Sequence, residues 1–126
     1  MRVGVVKEIK PFENRVGVTP AGCREFYRHG HSVFVERGAG IGSGFPDGDY
    51  ESAGARLCAS AAEVFQQAGL IVKVKEPLPE EFDYIREHHI IFTFFHFASD
   101  RNLTDAMRSS GATCIAYETV EAPDGS

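Results

Sequence analysis

Five stretches of this sequence, residues 3–6, 32–36, 70–74, 90–95 and 113–117, are nearly continuous in apolar residues, rich in β-branched side chains and of strand length. A strand with one wet face alternates apolar and polar residues, whereas a strand covered on both faces does not. Runs of this kind therefore belong to a parallel sheet sandwiched between helices. Helix-forming segments fall between them: residues 20–29 behind Thr19 as N-cap, 61–67 behind Ser60, 80–87, and 103–109 preceded by Asp100. Strict alternation of this sort builds right-handed β-α-β units. The expected fold class is α/β: a doubly wound, mostly parallel, Rossmann-like sheet with helices on both faces. The glycine-dense segment 38–48 reads as an irregular loop after the second strand, with a short helical turn over residues 47–52.

With 126 residues, 43% of them hydrophobic, the chain suffices for one well-buried domain. Its 18 acidic and 13 basic residues give a formal charge of -5 with no cationic stripe, which argues against nucleic acid as a partner. No run approaches the length of a membrane span, and no apolar leader precedes the first strand, so the expected setting is cytoplasmic. Cys23, Cys58 and Cys114 fit neither a disulfide framework nor a zinc pair and read as reduced, buried thiols. The polar, turn-rich residues 121–126 read as the start of a linker after a domain spanning 1–120.

In an open parallel sheet, ligands bind beyond the carboxyl ends of the strands. Three residues fall at that edge: Arg15 in the loop leaving the first strand, Lys75 after the run 70–74, and His96 after Phe95. Arg15 offers a planar fork suited to a carboxylate, Lys75 a compact ammonium able to hold a carboxylate or polarise a carbonyl, and His96 a proton exchanged near neutral pH. Together they suit a small oxo acid or amino acid. Singly, each would read as a solvated charge or a structural histidine, and their shared edge is what distinguishes them. Glu76 and Glu118 lie near the same edge, where a solvated or capping role is the plainer reading. Phe92, Phe94, Phe95 and Phe97 flank His96 and read mainly as core.

The run G-A-G-I-G-S-G, residues 38–44, invites a dinucleotide-loop reading, but Ser43, Phe45 and Asp47 stand where the G-x-G-x-x-G fingerprint needs glycine. Close packing or positive φ explains it better. His29 and His31 sit at one helix end and His88 and His89 at the expected end of the next. Neither pair has the i, i+4 spacing of a helical zinc site, and no metal ligand set is expected.

The segments MRVGVVKEIKPFENRVGVTPAG, VERGAGIGSGF, VKVKEPLPEE, FTFFHFASD and IAYETV together resemble the N-terminal part of the bacterial alanine dehydrogenases, through essentially the whole chain. The combination E-x-R-V-x-x-T-P, V-K-V-K-E-P and T-x-x-H is specific. Val6 stands where that family often has Pro, and Phe94-Phe95 replaces a Tyr-Leu-like pair; both keep apolar bulk. The resemblance implies an NAD-dependent enzyme interconverting L-alanine with pyruvate and ammonia. It implies that Arg15 and Lys75 bind the substrate's carboxylate and oxo groups and that His96 is the acid-base catalyst. It further implies that NAD is held by a domain beyond residue 126, that the 126 residues alone are inactive, and that the full-length family forms homo-oligomers, namely hexamers. A transhydrogenase subunit, a saccharopine-type oxidoreductase and a non-catalytic pyruvate- or alanine-binding module are the alternatives.

Overall fold

The computed structural model of the chain describes residues 1–9, 13–75, 77–94 and 101–116. Strands and helices alternate in order: β1 Arg2–Val5, α1 Pro20–Arg28, β2 Ser32–Glu36, α2 Asp47–Ser52, β3 Arg56–Cys58, α3 Ala61–Gln67, β4 Leu70–Lys75, α4 Pro79–Phe82, β5 Ile90–Phe94, α5 Arg101–Ser110 and β6 Thr113–Ala116. A 3-10 turn, Ile41–Ser43, lies between β2 and α2. The strands form one sheet in the order β3-β2-β1-β4-β5-β6, and every pairing is parallel. The doubly wound α/β expectation holds. The expected linker 121–126, Asp100, Glu76, Glu118 and the strand-end residues from Phe95 to Phe97 lie outside the described residues.

Each strand carries side chains to both faces, and each face has its own core. Val3, Val5, Val33 and Val35 meet Cys23 of α1 and Tyr50 of α2 on one side. Phe34, Ile71 and Ile91 meet Val64 and Phe65 of α3 on the other. Full burial of side chains of this size is worth about 1.5–3 kcal/mol each, which is why the strand runs are predominantly apolar. Gly4 interrupts β1 for a steric reason: a Cβ there would lie 2.7 Å from Val64 and 2.8 Å from both Ala68 and Ile71. Its absence lets α3 press against the central strand.

Both expected caps form. The Thr19 side chain accepts the Gly22 N–H at 3.2 Å and the Ser60 side chain that of Glu63 at 3.3 Å, each satisfying a first-turn donor. Several details differ from expectation, helix α5 for one running over Arg101–Ser110 rather than 103–109. The first strand begins and ends one residue earlier, at Arg2 and Val5. Strand β3 was unanticipated, because three residues, Arg56-Leu57-Cys58, are too few to show a period; pairing with β2 makes it a strand. Helix α4 stops at Phe82 rather than Glu87. Beyond it the chain turns inward, burying Ile85 and His89, so His89 belongs to the core rather than to a helix end.

Candidate functional site

In this strand order β1 and β4 are neighbours whose following connections depart to opposite faces, the topological switch point at which open α/β sheets bind ligands. The last Cα pairing between them is Val5 with Val72, where β1 ends, and backbone donors beyond it need other partners. Side-chain carboxylates take them. Glu8 Oε2 accepts the Val74 N–H at 3.0 Å and Oε1 the Lys75 N–H at 3.2 Å, while Glu36 at the end of β2 accepts the Lys7 N–H at 2.8 Å. The Lys75 carbonyl accepts the Thr93 hydroxyl at 2.8 Å, and the register with β5 shifts between Val72 and Lys75. The backbone of Lys75 is thus held from both sides at a strand-end irregularity.

Glu8 is itself part of a buried charge cluster. Lys73 Nζ lies 3.1 Å from Glu8 and 3.2 Å from Glu81, and all three side chains are at most 3% exposed. Glu81 also accepts the Leu78 N–H at 3.0 Å. Burial pushes the Glu81 carboxyl above its usual range, with Lys73 opposing.

Arg15 and Lys75 come together here, and what joins them is a residue that sequence reasoning passed over. The Arg15 guanidinium grips Glu13 through Nε and Nη2, both at 2.9 Å, and its backbone N–H donates to the same carboxylate at 2.8 Å. Lys75 Nζ stands 4.0 Å from Glu13 Oε1. Glu13 is shielded, with its side chain 5% exposed, whereas that of Arg15 is 67% exposed. The hydrogen bonds from Arg15 dominate in holding the Glu13 carboxyl down at about 2. One carboxylate therefore already bridges the guanidinium and the ammonium proposed from sequence for a ligand's carboxylate. The third sequence-selected residue, His96, lies outside the described residues.

The segment carrying Glu13 and Arg15 is clamped on two sides. At Gly17 a Cβ would lie 2.5 Å from the Val72 carbonyl oxygen of β4, and at Gly42 one would lie 2.9 Å from the Asn14 carbonyl oxygen. Ser43 Oγ donates to that same Asn14 oxygen at 2.7 Å. The glycine loop so far left without a role is therefore a clamp on the arginine segment. Its close approaches at Gly40 and Gly42 are taken by the chain's own atoms, including the Tyr50 ring 2.6 Å from a Cβ at Gly40, whereas Gly38 and Gly44 take positive φ with open space beside them. Alongside opens a cleft of about 420 Å³ lined by Arg15, Gly17, Ser43, Phe45, Val74 and Phe92 among others, a size that suits a small molecule.

The family model described as "Alanine dehydrogenase/PNT, N-terminal domain" matches residues 4–126. The chain belongs to the alanine dehydrogenase/PNT family. Among curated members, an alanine dehydrogenase of Mycobacterium tuberculosis is 50% identical over 125 residues, covering 99% of this chain and 34% of the relative. One of Bacillus subtilis is 50% identical over 120 residues, 95% of this chain and 32% of the relative. The solved structure of an L-alanine dehydrogenase superposes with a TM-score of 0.96 at 48% identity, over 100% of this chain and 35% of that one. A transhydrogenase from Sinorhizobium meliloti superposes with a TM-score of 0.87 at 33% identity, over 94% of this chain and 35% of that one. The chain thus spans about a third of the length of the family members it matches. These oxidoreductase relatives bear out the resemblance on which the sequence reading rested.

Proposed function

We propose that this chain is the oxo-acid-binding part of an NAD-dependent L-alanine dehydrogenase. In that reaction L-alanine, NAD and water give pyruvate, ammonium and NADH with release of a proton. The observation that carries the reading is the convergence of Arg15 and Lys75 on one carboxylate at the β1/β4 switch point. Arg15 anchors the substrate carboxylate. Lys75 places its ammonium beside the carbonyl oxygen, where negative charge grows as the carbon is attacked, and His96 moves the proton. No dinucleotide site is assigned to the described residues, because the glycine loop lacks the G-x-G-x-x-G spacing and packs at Gly40 and Gly42 against Tyr50 and Asn14. NAD is therefore assigned to a domain beyond this chain, and the 126 residues alone are assigned no turnover.

The reading is tested by titrating the isotope-labelled chain with pyruvate and following its amide resonances. Saturable shifts are expected around Arg15 and Lys75 and are expected to vanish in Arg15→Ala. An undisturbed spectrum at tens of millimolar pyruvate, or shifts confined to another part of the fold, sinks it. An assay of the chain with alanine and NAD complements this, since measurable NADH formation would refute the assignment of the cofactor to another domain.

A further inference from the structure

A guanidinium has two edges that can each form a paired hydrogen bond with a carboxylate, and Arg15 uses only one. Glu13 takes Nε and Nη2, and among the described residues nothing takes Nη1. The Glu13 side chain has little exposure. Its carboxylate is shielded and also accepts the Arg15 backbone N–H, closing a tight local turn, and the segment is wedged between Gly42 and Val72. These contacts suit a fixed strut better than a stand-in for a ligand. We propose that Glu13 is a positioning residue, fixing Arg15 by its Nε–Nη2 edge and standing off Lys75 so that the outer edge of the guanidinium and the ammonium are left for a small oxo acid. The inference rests on the reading of Arg15 and Lys75 as the substrate's anchors.

Two opposed expectations make it testable. A negative charge near an anion site repels the anion, so if Glu13 were only a nearby charge or a competing occupant of Arg15, Glu13→Gln would tighten pyruvate binding. A strut predicts the reverse, because a flexible arginine loses the order that makes a paired contact strong. The expected result for the folded Glu13→Gln chain is a pyruvate Kd weakened about fivefold or more relative to wild type. In an Arg15→Lys background, which keeps a cation for the anion but not the Nε–Nη2 edge that Glu13 grips, the same substitution should leave the Kd unchanged, since Glu13 acts through that edge. Unchanged or tighter binding, or an equal loss in both backgrounds, overturns the inference. Should Glu13→Gln fail to fold, the wild-type chain still decides. The Arg15 Nε–H is expected as a single sharp resonance exchanging slowly with water, and a freely exchanging Nε–H would refute the strut. Failure of wild type to bind pyruvate at all is a different result, which defeats the proposed function itself.

Discussion

His89 is held in one protonation state by its neighbours. Its Nδ1 accepts the Arg86 N–H at 2.8 Å, so Nε2 carries the hydrogen and donates to the Phe65 carbonyl at 2.7 Å. The ring also meets the Phe65 ring edge-on at 5.4 Å. Burial pushes its pKa below the ordinary 6.5. A histidine whose folded pKa is depressed contributes its full stabilisation above the unfolded value and loses it as pH falls below. Urea unfolding between pH 7 and pH 5 should therefore show stability falling by up to about 1.4 kcal/mol per unit below that value. In His89→Gln the neutral-pH stability drops but this slope flattens, and an equal slope in both proteins would show that His89 is not its source. Sequence alone could not place His89 in the core, because two adjacent histidines after an apparent helix look like helix-end cations. Arg15 and Lys75 were legible because strand ends can be read from composition. Glu13 was not, since an acid two residues before an arginine gains meaning only once the chain's path brings both beside β4.

At the scale of the element, β4 looks uniform in sequence and is not. Lys73 interrupts its apolar run, yet it is buried with two carboxylates for one ammonium. Removing Lys73 strands Glu8 and Glu81 without their cation. Lys73→Met is expected to destabilise the fold by about 3–5 kcal/mol. Glu81→Gln should cost less than about 1 kcal/mol, because it keeps an acceptor for the Leu78 N–H and relieves a crowded negative charge. Thermal and urea unfolding of the two variants provide the check, and a Glu81→Gln loss as large as that of Lys73→Met would contradict this account. The strands were readable because burial on two faces writes itself as nearly continuous apolar runs. The cluster was not, because its members come from the β1 loop, β4 and α4, and only the sheet order brings them together.

At the scale of the molecule, the described residues cover the two faces of the sheet unequally. The face bearing α3 buries Ile71 and Ile91 completely. On the opposite face α1 and α2 cover β1 to β3, while Leu70, Val72, Ile90 and Phe92 are only partly buried. There Leu70, Val72 and Phe92 join Phe26 in lining an apolar groove of about 480 Å³. Ile71 and Val72 are adjacent in sequence, nearly alike in chemistry and on opposite sides of one strand, so they report the asymmetry directly. Truncating Ile71 to alanine opens a cavity that packed neighbours cannot fill and should cost about 2–5 kcal/mol. Val72→Ala removes carbon already partly in water, and its cost should be about 1 kcal/mol or less. The check is the urea midpoint of each variant at an unchanged denaturant slope. Equal losses would mean that the groove is closed in solution and that both faces of β4 are packed alike.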